Sequence, residues 1–221
     1  MLEKQKYYLE TVKTMLERQK ITVNTMNVDM FDLLQVVRTV ASLVFQEKSS
    51  GNTVFVNVSG AGRLTSIGAT LAAMAHGAKA YYVGADGYSE SEEDKMKHGL
   101  SICTKLDIQF LEPFEFRLPK KNGIRVLVKL CENPDKGMKT IDLIEHLAKE
   151  KVEGFTEYAN IRSPKFPRAL KQRGSMKLNK GVLTELEQSR YIIREYIGKY
   201  NTIKITNAGA YVASISGLMK I

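Results

Sequence analysis

Ser59, Gly60, Ala61, Gly62 and Arg63 lie between a run of strand formers and a run of helix formers, inside the stretch TVFVNVSGAGRLTSIGATLAAMAHGAKAYYV of residues 53–83. Small side chains at such a junction let the backbone turn tightly and let a ligand reach main-chain amides, and a cation follows at once. The chemistry this suits is anion binding, phosphate above all. The dinucleotide fingerprint fits it poorly: Gly60 and Gly62 match the first two glycines, but Thr65 stands where the third belongs. Asp86, roughly twenty residues on, occupies the place of a ribose-binding acid, yet it sits in a turn where aspartate is common anyway. A GxxxxGK[ST] phosphate loop is absent from the sequence.

A second group of chemistry-bearing residues lies in the other half. Lysine plus arginine against aspartate plus glutamate is 12 to 12 over residues 1–110 and 21 to 12 over residues 111–221, so the second half carries the whole net charge of +9. A neutral half joined to a basic one implies two domains with different partners, the basic one suited to a polyanion. The expected division is 1–112, a linker at 113–121 rich in proline and lysine, and 122–221. Cys103 and Cys131 fit no metal or redox spacing and read as thiols of a reducing cytoplasm. His76, His98 and His146 are far apart and read as surface or helix-end residues, so no metal centre and no catalytic acid–base cluster is expected. Neither a membrane span nor a signal-peptide core is visible.

The elements that must position the first group follow from periodicity. Residues 54–58 read as a buried strand, and Leu64, Ile67, Leu71 and Met74 as the apolar stripe of the following helix. Residues 80–83 read as a second strand parallel to the first, which puts residues 59–63 and 84–87 at the ligand-binding end of the sheet. Upstream, residues 2–19 predict a helix and Ile21–Met26 a short strand. Asp29 is expected to cap a second helix with Met30, Leu33, Val37, Val40 and Val44 inward. Residues 86–106 read as a loop and a solvated helix, and 108–111 as a further strand. The alternation is that of a Rossmann-like parallel sheet covered on both faces. A strand normally opens such a domain, so the narrow sheet is expected either to be covered at one edge by a partner chain or to continue upstream of Met1.

In the basic half, Ile124, Leu127, Leu130 and Cys131 mark one helix, and Thr140 is expected to cap a second containing Ile141, Ile144 and Leu147. A third is expected from about Ser175 to Ser189, with Leu178, Val182, Leu183 and Leu186 inward. Residues 192–197 and 202–206 form a hairpin around 198–201, and a last helix starts at Thr206. Helix, helix, helix, wing, helix is the winged helix-turn-helix order. Its third helix enters the major groove at its amino-terminal end, which nominates Lys177, Asn179 and Lys180 for contacts to bases or phosphates. Arg194, Lys199 and Tyr200 at the wing would grip the flanking backbone, and Lys165, Arg168, Lys171 and Arg173 add positive charge before the helix. Residues 151–174 are longer than a minimal helix-turn-helix requires.

The VDMFDL helix start, the VNVSGAG loop, the AYYV strand and the LTELEQSRYI segment together resemble archaeal regulators that join a CARF-like domain, the CRISPR-associated Rossmann fold, to a winged helix. The resemblance covers most of the chain. It implies a homodimer whose ligand, contacted by Asn57, Ser59, Gly60, Ala61, Gly62 and Arg63, is a regulatory nucleotide such as cyclic oligoadenylate, with no resident cofactor. The chain departs from that pattern in having Gly60-Ala61-Gly62 where Gly-Gly or Gly-Thr is commoner, and in lacking the usual first strand. The function expected is a ligand-responsive, double-stranded-DNA-binding transcriptional regulator in the cytoplasm. The rivals are a CARF-type ring nuclease or ribonuclease, and an adaptor whose winged helix binds protein.

Overall fold

The computed structural model describes residues 3–113, 116–197 and 200–219. Helix α1 (Glu3–Arg18) and helix α2 (Leu33–Ser49) precede strand β1 (Phe55–Asn57), helix α3 (Arg63–Ala75) and strand β2 (Lys79–Val83). Strands β3 (Gly87–Tyr88) and β4 (Ser101–Ile102) form a small ribbon around helix α4 (Glu92–His98), and strand β5 (Ile108–Leu111) returns to the main sheet. That sheet runs β1-β2-β5, with β1 and β2 parallel and β5 antiparallel to β2. Residues 21–26 take no regular structure, contrary to the strand expected there. A strand forms only where a neighbour satisfies its amides, and these residues join none of the three sheets.

Helix α2 starts three residues later than the sequence suggested. Asp32, not Asp29, caps it by accepting from the Gln35 amide, while Asp29 accepts from Phe31 N in a turn. Met30 therefore lies outside the helix and is exposed. Helix α3 is inverted relative to expectation. Its buried face is Thr65, Gly68, Ala69, Ala72 and Ala73, whereas Leu64 and Ile67 are 47% and 52% exposed. The small face wins because α2 already brings the bulk: a methyl group on Gly68 would stand 2.9 Å from Leu33 Cδ1 and 3.1 Å from Val36 Cγ1. Two helices can pack this closely only when one of them presents little more than backbone.

The sheet rests on these helices through Val56, Ala80 and Leu111, which pack with Val44, Ala73 and Ala78. Its other face carries Phe55, Tyr81 and Phe110, with ring centroids 5.9–6.4 Å apart across the three strands. Phe55 and Phe110 remain half exposed, so β1 is not the fully buried strand anticipated and the two-sided cover is incomplete.

The second half is built on a larger core. Helix α5 (Lys121–Cys131), strand β6 (Met138–Lys139) and helix α6 (Thr140–Lys149) lead through a 3₁₀ turn (Thr156–Tyr158) to one long helix: α7 (Arg168–Leu178), a π-turn (Asn179–Leu183) and α8 (Thr184–Gln188). Strands β7 (Ile192–Ile197) and β8 (Tyr200–Ile205) follow, then helix α9 (Asn207–Ile215). The sheet order is β6-β8-β7, antiparallel throughout; β6 was missed because two residues carry no period. Thr140 begins α6 and does not cap it, since Lys139 is the N-cap residue and its side chain makes no capping bond. Thr206 does cap α9, accepting from Gly209 N at 3.1 Å.

Leu127, Leu130, Leu143, Ile144, Leu147, Leu178, Leu183, Leu186, Ile192 and Ile203 form one buried cluster. Val152, Phe155, Tyr158 and Ile161 of the long connection belong to it too. Burying such side chains contributes about 1.5–3 kcal/mol each, so the connection is a structural plug under α7 and not a solvated insertion. Helix α9 also leaves its own module to pack on α2 and α3. There Ser42 Oγ donates to Met219 O at 3.0 Å, and His76 Nε2 lies 2.8 Å from Ile215 O.

Candidate functional site

The long helix begins at Arg168, not near Ser175. Pro167 occupies its N-cap, and Gly174, which reads as a breaker, is tolerated because Tyr158 packs against its bare Cα: a Cβ there would stand 2.9 Å from the ring. The amino-terminal end therefore carries Arg168, Lys171 and Arg173, and Lys177, Asn179 and Lys180 fall in the middle. Over residues 165–184 the sequence has six cations and no carboxylate. Gln172, Arg173, Met176 and Lys180 recur at helical spacing along the exposed side and line an open hollow of about 500 Å³ with Ala169 and Lys177. Neither Arg173 nor Lys180 forms an ion pair among the described residues.

Several other nominated side chains are bonded within the module. Asn179 Nδ2 donates to Ser175 O at 2.8 Å, and its Oδ1 accepts from Arg194 at 2.9 Å. Arg194 is also paired with Glu187 at 3.0 Å. Asn179 and Arg194, expected to contact a base and a phosphate, thus form a clasp between the helix and the wing. Lys177 is exposed, but its ammonium donates to Gly154 O at 2.7 Å and lies over the Phe155 ring. Lys171 donates to Ser163 O at 3.2 Å. Lys165 and Arg168 are exposed beside the helix start. Lys199 lies outside the described residues, and of Tyr200 only its place at the start of β8 is described. Gln172 and Met176 were missed; reading the helix from Pro167 onward would have put both on its outer face.

The glycine loop is the second feature. Because β1 and β2 are parallel, residues 59–63 and 84–87 lie at the same end of the sheet, and the Val83 amide joins them by donating to Ser59 Oγ at 2.7 Å. Ser59 in turn gives both its amide and its hydroxyl to Asn57 Oδ1, at 2.9 and 2.6 Å. Ser66 Oγ donates to Val58 O and Ala61 O from the first turn of α3. Asn57 and Ser59, both expected to touch a ligand, therefore also brace the loop. Gly62 caps α3 without a side-chain acceptor, and the first turn of the helix holds no acid. Gly60 and Gly62 have nothing within 4 Å of where a Cβ would stand, and Arg63 is exposed beside them. Asp86 is occupied: Thr104 donates to it through amide and hydroxyl and Lys105 through its amide, which holds its carboxyl below the ordinary range. Among the described residues no His, Cys, Asp and Glu side chains gather as metal ligands, and no helix is long and apolar enough to cross a membrane.

Three helices, a three-stranded wing sheet and a closing helix, in the order α5-β6-α6-α7/α8-β7-β8-α9, make the second half a winged helix domain. In agreement, residues 122–217 match the family described as DUF6293 C-terminal winged helix domain. Residues 1–88 match the family described as HFX_2341_N:-like, N-terminal. No curated protein matches the chain.

Proposed function

We propose that this chain is a DNA-binding transcriptional regulator whose amino-terminal α/β module, CARF-like in its loop, responds to an anionic, nucleotide-like effector such as cyclic oligoadenylate. The observation that carries the DNA reading is the acid-free outer face of the long helix over residues 168–183, where Gln172 and Met176 lie beside Arg173 and Lys180. Cations neutralise phosphates along the groove, a glutamine amide can pair with adenine, and methionine can meet a thymine methyl. The protein acts as a homodimer, with its two long helices set against half-sites about one helical turn apart. Effector bound at Gly60–Arg63 prefers one placement of the modules and so shifts the population that fits the operator.

Duplex binding measured across a salt series tests this. Arg173→Ala and Lys180→Ala should each reduce the slope of log K against log salt by about one. Slopes equal to the parent's would refute the helix assignment and favour a winged helix that binds protein. Arg63→Ala should remove effector binding and leave DNA affinity of the effector-free protein intact. The reading is of a binding protein, so cyclic oligoadenylate should be recovered uncleaved after incubation.

A further inference from the structure

Between the two modules lies a cleft of about 720 Å³, walled by α2 on one side, by α5 and α6 on the other, and by the residues after α9. Arg38 reaches it from α2, and Lys121 and Arg125 from α5. None of these three side chains has an ion pair or hydrogen bond among the described residues, and Arg38 Nε is buried without a hydrogen-bond partner among them. Of the remaining charges in the wall, Lys129 and Glu132 neutralise each other and Glu150 is the one unpaired carboxylate. Burial and neighbouring Lys129 and Arg125 lower the pKa of His146, against the opposing pull of Glu150 and Glu132. The balance is cationic. A half-buried guanidinium without an acceptor is costly to leave unmet, and a cleft between domains is a common place for a ligand. The floor is apolar: Phe45, Val128, Leu218 and Met219 line it, with Phe45 and Leu218 each 38% exposed.

We infer that this junction cleft binds a small phosphorylated molecule with an apolar body, its head held by Arg38, Lys121 and Arg125 and its body on Phe45 and Met219. Three cations from two modules suit a dianionic head better than a carboxylate, since each guanidinium can meet two oxygens. The site is distinct from the Gly60–Arg63 loop, and because its cations come from both modules, occupancy fastens one to the other.

Cys131 lines the cleft and reports on it. The chain has two cysteines, and the other, Cys103, is exposed, so Cys103→Ser leaves a single thiol at the site. Its alkylation by iodoacetamide at mildly alkaline pH and constant ionic strength is followed by mass, with phenyl phosphate as probe and inorganic phosphate, benzoate and phenol as controls. At ten times its Kd, phenyl phosphate should slow alkylation about tenfold, with phosphate weaker and phenol inert. Arg38→Gln and Arg125→Gln should abolish the protection, as should Lys121→Gln at an exposed position, while Arg63→Ala leaves it unchanged. Absence of protection at millimolar phenyl phosphate overturns the inference. So does protection that persists in Lys121→Gln and in whichever arginine variants keep the parent's circular dichroism. Loss of protection in Arg63→Ala would move the site to the glycine loop.

Discussion

Gly209→Ala should cost about 2–4 kcal/mol. Gly209 is buried in the first turn of α9 against the start of the wing, where a methyl group would overlap the carbonyl oxygen of Tyr191 and stand 2.8 Å from Ile205 Cγ1. A backbone carbonyl cannot rotate away as a side chain can, so α9 must move off β7. Overpacking of this kind costs about 1–3 kcal/mol. The movement also stretches the Thr206 amide bond to Tyr191 O, now 3.0 Å, and the Thr206 cap on Gly209, each worth about 1 kcal/mol. Alanine returns at most about 1 kcal/mol through helix propensity, which gives the net loss. For a chain of this size the thermal midpoint should fall by about 5–15 °C. Urea unfolding followed by circular dichroism measures it, with Gly181→Ala as control, since that helical glycine has nothing within 4 Å and should gain or hold stability. A Gly209→Ala protein as stable as its parent would refute the packing argument.

Gly60→Ala and Gly62→Ala should leave stability within about 0.5 kcal/mol, because both face open space, yet weaken effector binding at least several-fold in calorimetry. Unchanged affinity would remove the loop from the site. Asn179→Ala should destabilise by about 1–2 kcal/mol in urea unfolding, through the lost bonds to Ser175 and Arg194, with base preference in a binding-site selection unaltered. His76 is held below its ordinary value of 6.5 by burial, with its bond to Ile215 O opposing and Lys48 adding to the depression. The unfolded chain therefore takes up a proton before the folded one does. Stability should be complete above pH about 6.5 and fall as pH drops from there toward the lower folded value, a slope that His76→Gln should reduce.

The winged helix was legible because its parts are long or strongly punctuated: Leu178, Val182 and Leu186 repeat at helical spacing, and the hairpin has β-formers on both sides of a glycine turn. Periodicity failed in α3, where large and small residues form opposite stripes and both are apolar. The choice between them belongs to α2, whose Leu33, Val36 and Val37 leave no room for bulk at Gly68. The helix start at Arg168 was hidden by Gly174, whose reason is Tyr158, sixteen residues away in sequence. Residue types at the candidate DNA face were readable but their directions were not, since Asn179 is held inward by Ser175 O and by Arg194, fifteen residues away. The connection 151–167 looked like excess length because Val152, Phe155, Tyr158 and Ile161 follow no regular period, although all four are buried.

Helix α9 closes the carboxyl-terminal core through Ala213 and at the same time lies on α2, with Gly217 against Phe45 and His76. One short element is therefore common property of both halves, and neither can come apart without stripping it from the other. Scanning calorimetry should accordingly register one endotherm for the intact chain, and any signal that displaces α9 is felt at both ends of the molecule at once.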